Sequence, residues 1–219
     1  MATASKSASA WSVITAPDTV RRAIYVLGLA PAAWVFYRGF TDQLGADPVR
    51  TLERTLGLWS LRFLIIGLAI TPLRRLGGSN LIRYRRAIGL VAFAYAFLHL
   101  VAYVWFDQGF DLAAIWKDIV KRWYITVGMA AFALLVPLAV TSNNQMIKRL
   151  GGAAWQRLHR LVYAAAALAA IHFLLLVKTW KTTSPDPLVY AVLVAALLLF
   201  RLVVYLRKRA ARAGKAVTA

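Results

Sequence analysis

Residues 155–178 read WQRLHRLVYAAAALAAIHFLLLVK, and they decide the fold. At about 1.5 Å per residue a helix of this length runs roughly 36 Å, enough to cross a hydrocarbon core of ~30 Å. Between 161 and 177 there is no charged residue, and His172 is the only strongly polar side chain. An imidazole inside a spanning helix is unfavourable without a partner, so it marks a site. The same stretch holds His159. The third histidine, His99, sits in the comparable run RAIGLVAFAYAFLHLVAYVWF at 86–106.

A lone buried histidine is often satisfied by a backbone carbonyl or a serine across a helix interface. That reading weakens here, because all three histidines lie in or at the edge of apolar runs and none lies in a polar segment. Imidazole nitrogen is a common ligand to iron, zinc and copper. The chain has no cysteine, which excludes thiolate ligation, disulfides and thiol redox chemistry. It has no HExxH pattern. Histidine-only ligation within a membrane bundle points first to haem.

Composition fits a membrane protein. The 219 residues are 61% hydrophobic and carry a formal charge of +19. The basic residues punctuate long apolar runs instead of forming one face, which does not suit a nucleic-acid binder. Six runs are long enough to span, at 20–40, 56–71, 86–106, 123–141, 155–178 and 187–206, the second being the shortest. The expected fold is therefore all-α, a six-helix transmembrane bundle. Residues 1–17 read as a flexible tail with no cleaved signal peptide, and 210–219 as a basic C-terminal tail.

Charge sets the orientation. The N-terminal tail, the two connections at 74–86 and 148–160, and the end from Arg201 carry 18 Lys+Arg and one acid. The three alternate connections carry 8 Lys+Arg and 7 acids. The bias predicts that both termini are cytoplasmic. In one outer connection, DLAAIWKDIVKRW at 111–123, apolar residues recur at helical spacing among charges. It reads as a short amphipathic helix on the outer surface, serving as a connector, a lid or a docking surface.

An internal repeat adds to this. RLGGSNLIRYRRAIGL from Arg75 resembles RLGGAAWQRLHRLVYA from Arg149, at an offset of 74 residues. Spans two–three and four–five are therefore expected to be similar hairpins, with His99 and His172 in near-equivalent places. His99 follows Arg86 by 13 residues and His172 follows Arg160 by 12, so each sits ~18–20 Å above the cytoplasmic edge. That matched depth makes them the best axial pair for one outer haem. His159 lies ~20 Å below His172, and an ideal helix would put the two on different stripes unless it is bent.

The blocks RRAIGLVAFAYAFLHLVAY and LGGAAWQRLHRLVYAAAALAAIHFLLLVK resemble the MsrQ (YedZ) family of haem-binding membrane subunits. That family lies within the wider group of ferric reductase-like transmembrane domains. Length and spans extend the resemblance over about 18–209, taken as one haem domain. The resemblance implies a multi-pass protein of the bacterial inner membrane that holds b-type haem and relays electrons without being itself the catalyst. The acceptor it implies is a periplasmic, molybdopterin-containing methionine sulfoxide reductase that repairs oxidised proteins. The implied donors are quinol or a cytosolic flavin reductase, with FMN as a second cofactor.

One departure matters. The wider group stacks two haems between two helices that each carry two histidines, whereas span three here has only His99, with Arg85 or Arg86 where a fourth would stand. His159 is left as a ligand to a second haem with a non-histidine partner, a flavin contact, or an interfacial polar residue. Arg62 is the one basic residue well inside a span; pairing with a haem propionate and snorkelling to the interface are the two readings. Arg85, Arg157 and Arg160 form a basic cytoplasmic mouth suited to a flavin phosphate. The alternative functions are a histidine-lined transporter and a haem- or metal-handling membrane protein.

Overall fold

The computed structural model describes residues 17–77, 81–180 and 186–217. Those residues are helical, without a strand. Six helices among them are long and apolar enough to cross a membrane, as the sequence predicts. In chain order the elements are α1 (Pro17–Phe40), α2 (Pro48–Arg75), a 3₁₀ turn (Leu81–Tyr84), α3 (Arg85–Ala102) and a π-helical turn (Tyr103–Asp107). There follow α4 (Leu112–Lys121), α5 (Trp123–Val140), the short α6 (Asn144–Leu150) and α7 (Gly152–Leu158), α8 (Leu161–Trp180) and α9 (Asp186–Val217). The expected tail at 1–17 lies almost wholly outside the described residues.

Helix ends follow local chemistry. Asp47 caps α2 by accepting from the Arg50 amide at 3.1 Å, with Pro48 in the first turn, where its missing N–H does no harm. The helix therefore starts eight residues before the apolar run at 56–71, making the shortest expected span one of 28 residues. Arg50, Glu53 and Arg54, read in the sequence as part of a connection, are in its first two turns. The amphipathic segment at 111–123 does form a helix, capped by Asp111, which accepts from the Ala113 and Ala114 amides at 2.9 and 3.0 Å.

The tightest packing joins α2 to α3 and α5 to α8, so the two repeated hairpins are the structural units. They meet along a layer made of Leu64, Ala92, Leu135 and Ala165, all buried. Leu64 and Leu135 are 71 residues apart, and Ala92 and Ala165 are 73 apart, so the layer has two-fold pseudo-symmetry. Two alanines let the helices approach closely, which is what drives packing where lipid removes the hydrophobic incentive. Helices α1 and α9 flank this core, with α1 packed on α3 and α2, and α9 on α8 and α2.

Polar side chains tie the flanking helices to this core. Tyr95, fully buried, donates from its hydroxyl to the Gly28 carbonyl at 2.8 Å and accepts from the Ala32 amide at 3.0 Å. That hydroxyl thus inserts into the i→i−4 ladder of α1 beside Pro31, where the ladder is already interrupted. On the other flank Arg201 of α9 donates to the Leu68 carbonyl at 2.8 Å, to Thr71 Oγ1 at 3.2 Å and to the Tyr163 hydroxyl at 2.8 Å. Pro72 has no N–H for Leu68, so the carbonyl is free to take the arginine. Arg201, counted by sequence with the cytoplasmic end, points into the bundle.

Tyr95→Phe removes the hydroxyl and leaves both α1 groups short of a partner. It should destabilise the protein by about 1–2 kcal/mol, read as lowered thermal stability in detergent, with the helical content of the native state retained.

Candidate functional site

Lateral access to a helix carbonyl decides where the histidines can be held. A helical side chain covers the turn N-terminal to its own Cα, so a glycine four residues on leaves a carbonyl open from the side. In α2 the carbonyl is that of Glu53 and the glycine is Gly57; in α5 they are Tyr124 and Gly128. His99 of α3 is bonded through Nδ1 to the Glu53 carbonyl at 2.9 Å. His172 of α8 is bonded through Nδ1 to the Tyr124 carbonyl at 2.6 Å. A carbonyl cannot donate, so the proton sits on Nδ1 in both rings and each Nε2 keeps a lone pair. That is the tautomer of a metal-ligating histidine oriented by an outer hydrogen bond.

The two ring centres are 6.3 Å apart with planes at 71°. If the two rings held one metal from opposite sides, with bonds of about 2 Å and ~1.1 Å more from each nitrogen to its ring centre, their centres would stand roughly 6.2 Å apart. Among the described residues no group of three His, Cys, Asp or Glu side chains could hold a metal.

Both histidines line one cavity of about 300 Å³. Its walls are kept open by small residues in pseudo-symmetric pairs: Gly57 and Gly128, Ser60 and Ala131, Ala96 and Ala169. Ala96 and Ala169 each stand three residues before a histidine, on the same helix face. Leu64 and Leu135 form the floor, which is part of the layer between the hairpins. At the opposite end the lining turns polar, with Arg50, Glu53, Arg54, Tyr103, Asp107 and Arg122. The small-residue walls leave room for a flat group, and the mouth arginines Arg50 and Arg54 pair with Asp47 at 3.2 Å and Asp186 at 3.8 Å.

The mouth is strapped by α4. The π-helical turn extends α3 past His99, and the Tyr103 hydroxyl donates to Asp118 Oδ2 at 3.3 Å. Asp118 pairs with Arg122 at 3.2 Å, and Arg122 donates to the Tyr124 hydroxyl at 3.3 Å. That last bond is the leading influence holding the Arg122 guanidinium above its ordinary pKa. Asp111 and Asp118, candidates for a docking surface by sequence, are thus occupied in capping α4 and tying it down. The exposed residues of α4 are the apolar Leu112, Ala113, Trp116 and Val120 together with Lys117 and Lys121.

The remaining expected site residues lie elsewhere. Arg62 does not line the cavity. It follows Gly57 by five residues, about 140° around the helix, and so faces α9. There its Nε donates to the Tyr190 hydroxyl at 2.7 Å, and its guanidinium lies 4.9 Å from the Trp59 ring centre and 5.8 Å from that of Tyr190. His159 is also away from the cavity, on the far side of the Leu64–Ala92–Leu135–Ala165 layer. The chain is not one continuous helix there, because α7 ends at Leu158 and α8 begins at Leu161. His159 stacks on Trp155 at 3.7 Å, bonds through Nδ1 to the Trp155 carbonyl at 3.1 Å, and has Nε2 3.4 Å from Ser142 Oγ. These are the surroundings of an interfacial polar residue. Arg157 and Arg160 are exposed nearby, and Arg85 is half-buried. Arg86 donates to Asn144 Oδ1 at 2.7 Å beside a second, more polar cleft with Arg21, Tyr25 and Ser142. Tyr103 and Tyr124 line the cavity, whereas Tyr95 and Tyr163 serve packing.

Gly57 and Gly128, which line the cavity beside the histidines, are positions that the sequence reading missed. The repeat that begins at Arg75 continues upstream as GLWSLRFL (57–64) and GMAAFALL (128–135), at an offset of 71, not 74. The three-residue change of register hid it.

Comparison with known proteins places this arrangement. Residues 56–170 match the family described as the ferric reductase like transmembrane component, a segment that includes His99 and His159 and ends just before His172. The chain is similar to the protein-methionine-sulfoxide reductase heme-binding subunit MsrQ of Brucella ovis, at 56% identity over 187 residues, covering 85% of this chain and 83% of that protein. The subunits of the same name from Brucella canis and Brucella abortus show the same identity and coverage.

Asp111→Ala should uncap α4 and weaken it by about 1 kcal/mol, read as faster amide exchange confined to residues 112–121.

Proposed function

Because the chain belongs to the MsrQ family of haem-binding subunits, within the ferric reductase-like transmembrane proteins, we propose that it holds a b-type haem between His99 and His172. The observation that carries this is the ring pair, 6.3 Å apart, with each ring locked by a backbone carbonyl. Bound there, the haem supplies a one-electron carrier whose potential is set by its axial ligands and surroundings. The chain's own residues do the rest. Glu53 and Tyr124 fix the tautomer and rotation of the ligands. The small residues admit the ring, and Arg50, Arg54 and Arg122, which pair with Asp47, Asp186 and Asp118, are the cations at its mouth. The Leu64–Ala92–Leu135–Ala165 layer keeps water of the far side out.

The function proposed is electron relay to a periplasmic, molybdopterin-containing methionine sulfoxide reductase, in support of repair of oxidised periplasmic proteins. The protein would sit in the bacterial inner membrane with both termini cytoplasmic, as the basic bias predicts. Residues 18–209 would be the haem domain. The cavity mouth then faces the periplasm, where its rim and α4 are accessible to a soluble acceptor. Electrons would enter from the terminal end, from quinol or a cytosolic flavin reductase. The exposed Arg157 and Arg160, with the Arg21–Arg86 cleft beside them, suit a phosphate-bearing group such as FMN. His159 is left without a place in the relay.

The purified protein should show a Soret band that dithionite shifts. His99→Ala and His172→Ala should each remove the low-spin haem spectrum, and His159→Ala should keep most of it. A full low-spin spectrum in the His99 variant would rule the pairing out.

A further inference from the structure

The two histidine rings do not merely hydrogen-bond to α2 and α5; they lie on glycines of those helices. A Cβ built on Gly128 would stand 2.8 Å from His172 Nδ1 and 2.9 Å from its Cε1. A Cβ on Gly57 would stand 3.3 Å from His99 Nδ1 and 3.4 Å from its Cε1. Both glycines are in mid-helix, at ordinary helical conformation and four residues past the accepting carbonyl, so backbone freedom does not explain them. The free lateral space does.

We infer that Gly57 and Gly128 are positioning residues for the two haem ligands, each forming with the carbonyl four residues earlier a seat that sets the depth and rotation of one imidazole. The inference rests on the proposed haem pairing. Each seat acts on the metal through its histidine alone: if the ring is lifted away from its helix, Nδ1 leaves the carbonyl and Nε2 moves with it. The two seats are unequal. That of His172 has no slack, because a methyl at Gly128 would overlap ring atoms flanked by the Tyr124 bond. At that of His99 a methyl would be too close by only a few tenths of an ångström, a shift the ring can make, and its bond to Glu53 is the longer of the two. Their surroundings differ as well. Glu53, Ser60 and Tyr103 bring polar groups to the His99 half, while Ala131, Phe132 and Phe173 line the His172 half below the polar Arg122 and Tyr124 at its mouth. His172 is therefore the rigidly held ligand, and His99 the one that can adjust.

The test compares Gly57→Ala and Gly128→Ala with Gly67→Ala, whose Cβ would meet its nearest neighbour, Ile88, at an ordinary 3.7 Å. Haem content, electron paramagnetic resonance of the ferric form and redox titration are measured on protein purified in detergent. Gly128→Ala is expected to lower haem affinity by roughly tenfold or more, the scale for loss of an outer-sphere orienting contact, and to turn the residual haem high-spin. Gly57→Ala is expected to keep low-spin haem while shifting its largest g-value and its midpoint potential, both of which follow ligand orientation. Gly67→Ala should match wild type in all three.

A Gly128 variant with wild-type haem content, g-values and potential overturns the inference. So does a Gly57 variant unchanged in g-value and potential, a reading that stands even where the Gly128 variant fails to accumulate. A wild-type protein without a reducible Soret band would instead fail the haem proposal itself.

Discussion

A histidine inside a bilayer must place its ring N–H, and almost every helix carbonyl near it is already covered by a side chain one turn further on. Gly57 and Gly128 remove that cover at two points, and the carbonyls of Glu53 and Tyr124 take the Nδ1 protons of His99 and His172. The opposite nitrogens then become acceptors with fixed directions. Close packing of α2 on α3 and α5 on α8 follows from the same feature, because a ring resting on a glycine brings two helix axes together. Cavity, tautomer and hairpin packing are thus consequences of one arrangement used twice.

The repetition is imperfect, and the flanking helices respond to its irregularities. Helix α2 is bound on one side through the stack of Trp59 and Phe63 on Tyr95, with ring centres 5.7–6.2 Å apart, and on the other through Arg201 at Leu68. Both flanking ties exploit a proline that disturbs a backbone ladder, Pro31 in α1 and Pro72 in α2. Among the described residues neither tie has a counterpart on α5. The core pair of hairpins is nearly symmetric; the belt around it is not.

Much of this was legible in the sequence. Long apolar runs gave the spans, since their length signal is strong and independent of packing. The RLGG repeat gave the two hairpins, and the common distance from their basic starts put His99 and His172 at one level. What failed to show depended on rotation around a helix axis or on local breaks. Arg62 was near the right depth but on the wrong face, which counting from Gly57 would have revealed had that glycine been recognised. His159 was separated from His172 by the interruption between α7 and α8, invisible in an apolar run without proline. Asp111 and Asp118 read as surface charges because a cap and an inward ion pair look the same in sequence as solvated acids.

The layer of Leu64, Ala92, Leu135 and Ala165 bears on energetics as well as packing. It is a dry, apolar partition between the histidine cavity and the terminal end of the bundle, so it behaves as the insulator of a small capacitor. A transmembrane voltage falls mainly across such low-dielectric material, at about 2.3 kcal/mol per elementary charge per 100 mV for a full crossing. In the proposed orientation, with the termini in a negatively polarised cytoplasm, an electron passing the partition toward the cavity would move toward the positive side. The resting voltage of the cell would then assist outward transfer, and charging of the cavity from the inner side would couple to the energised state of the membrane.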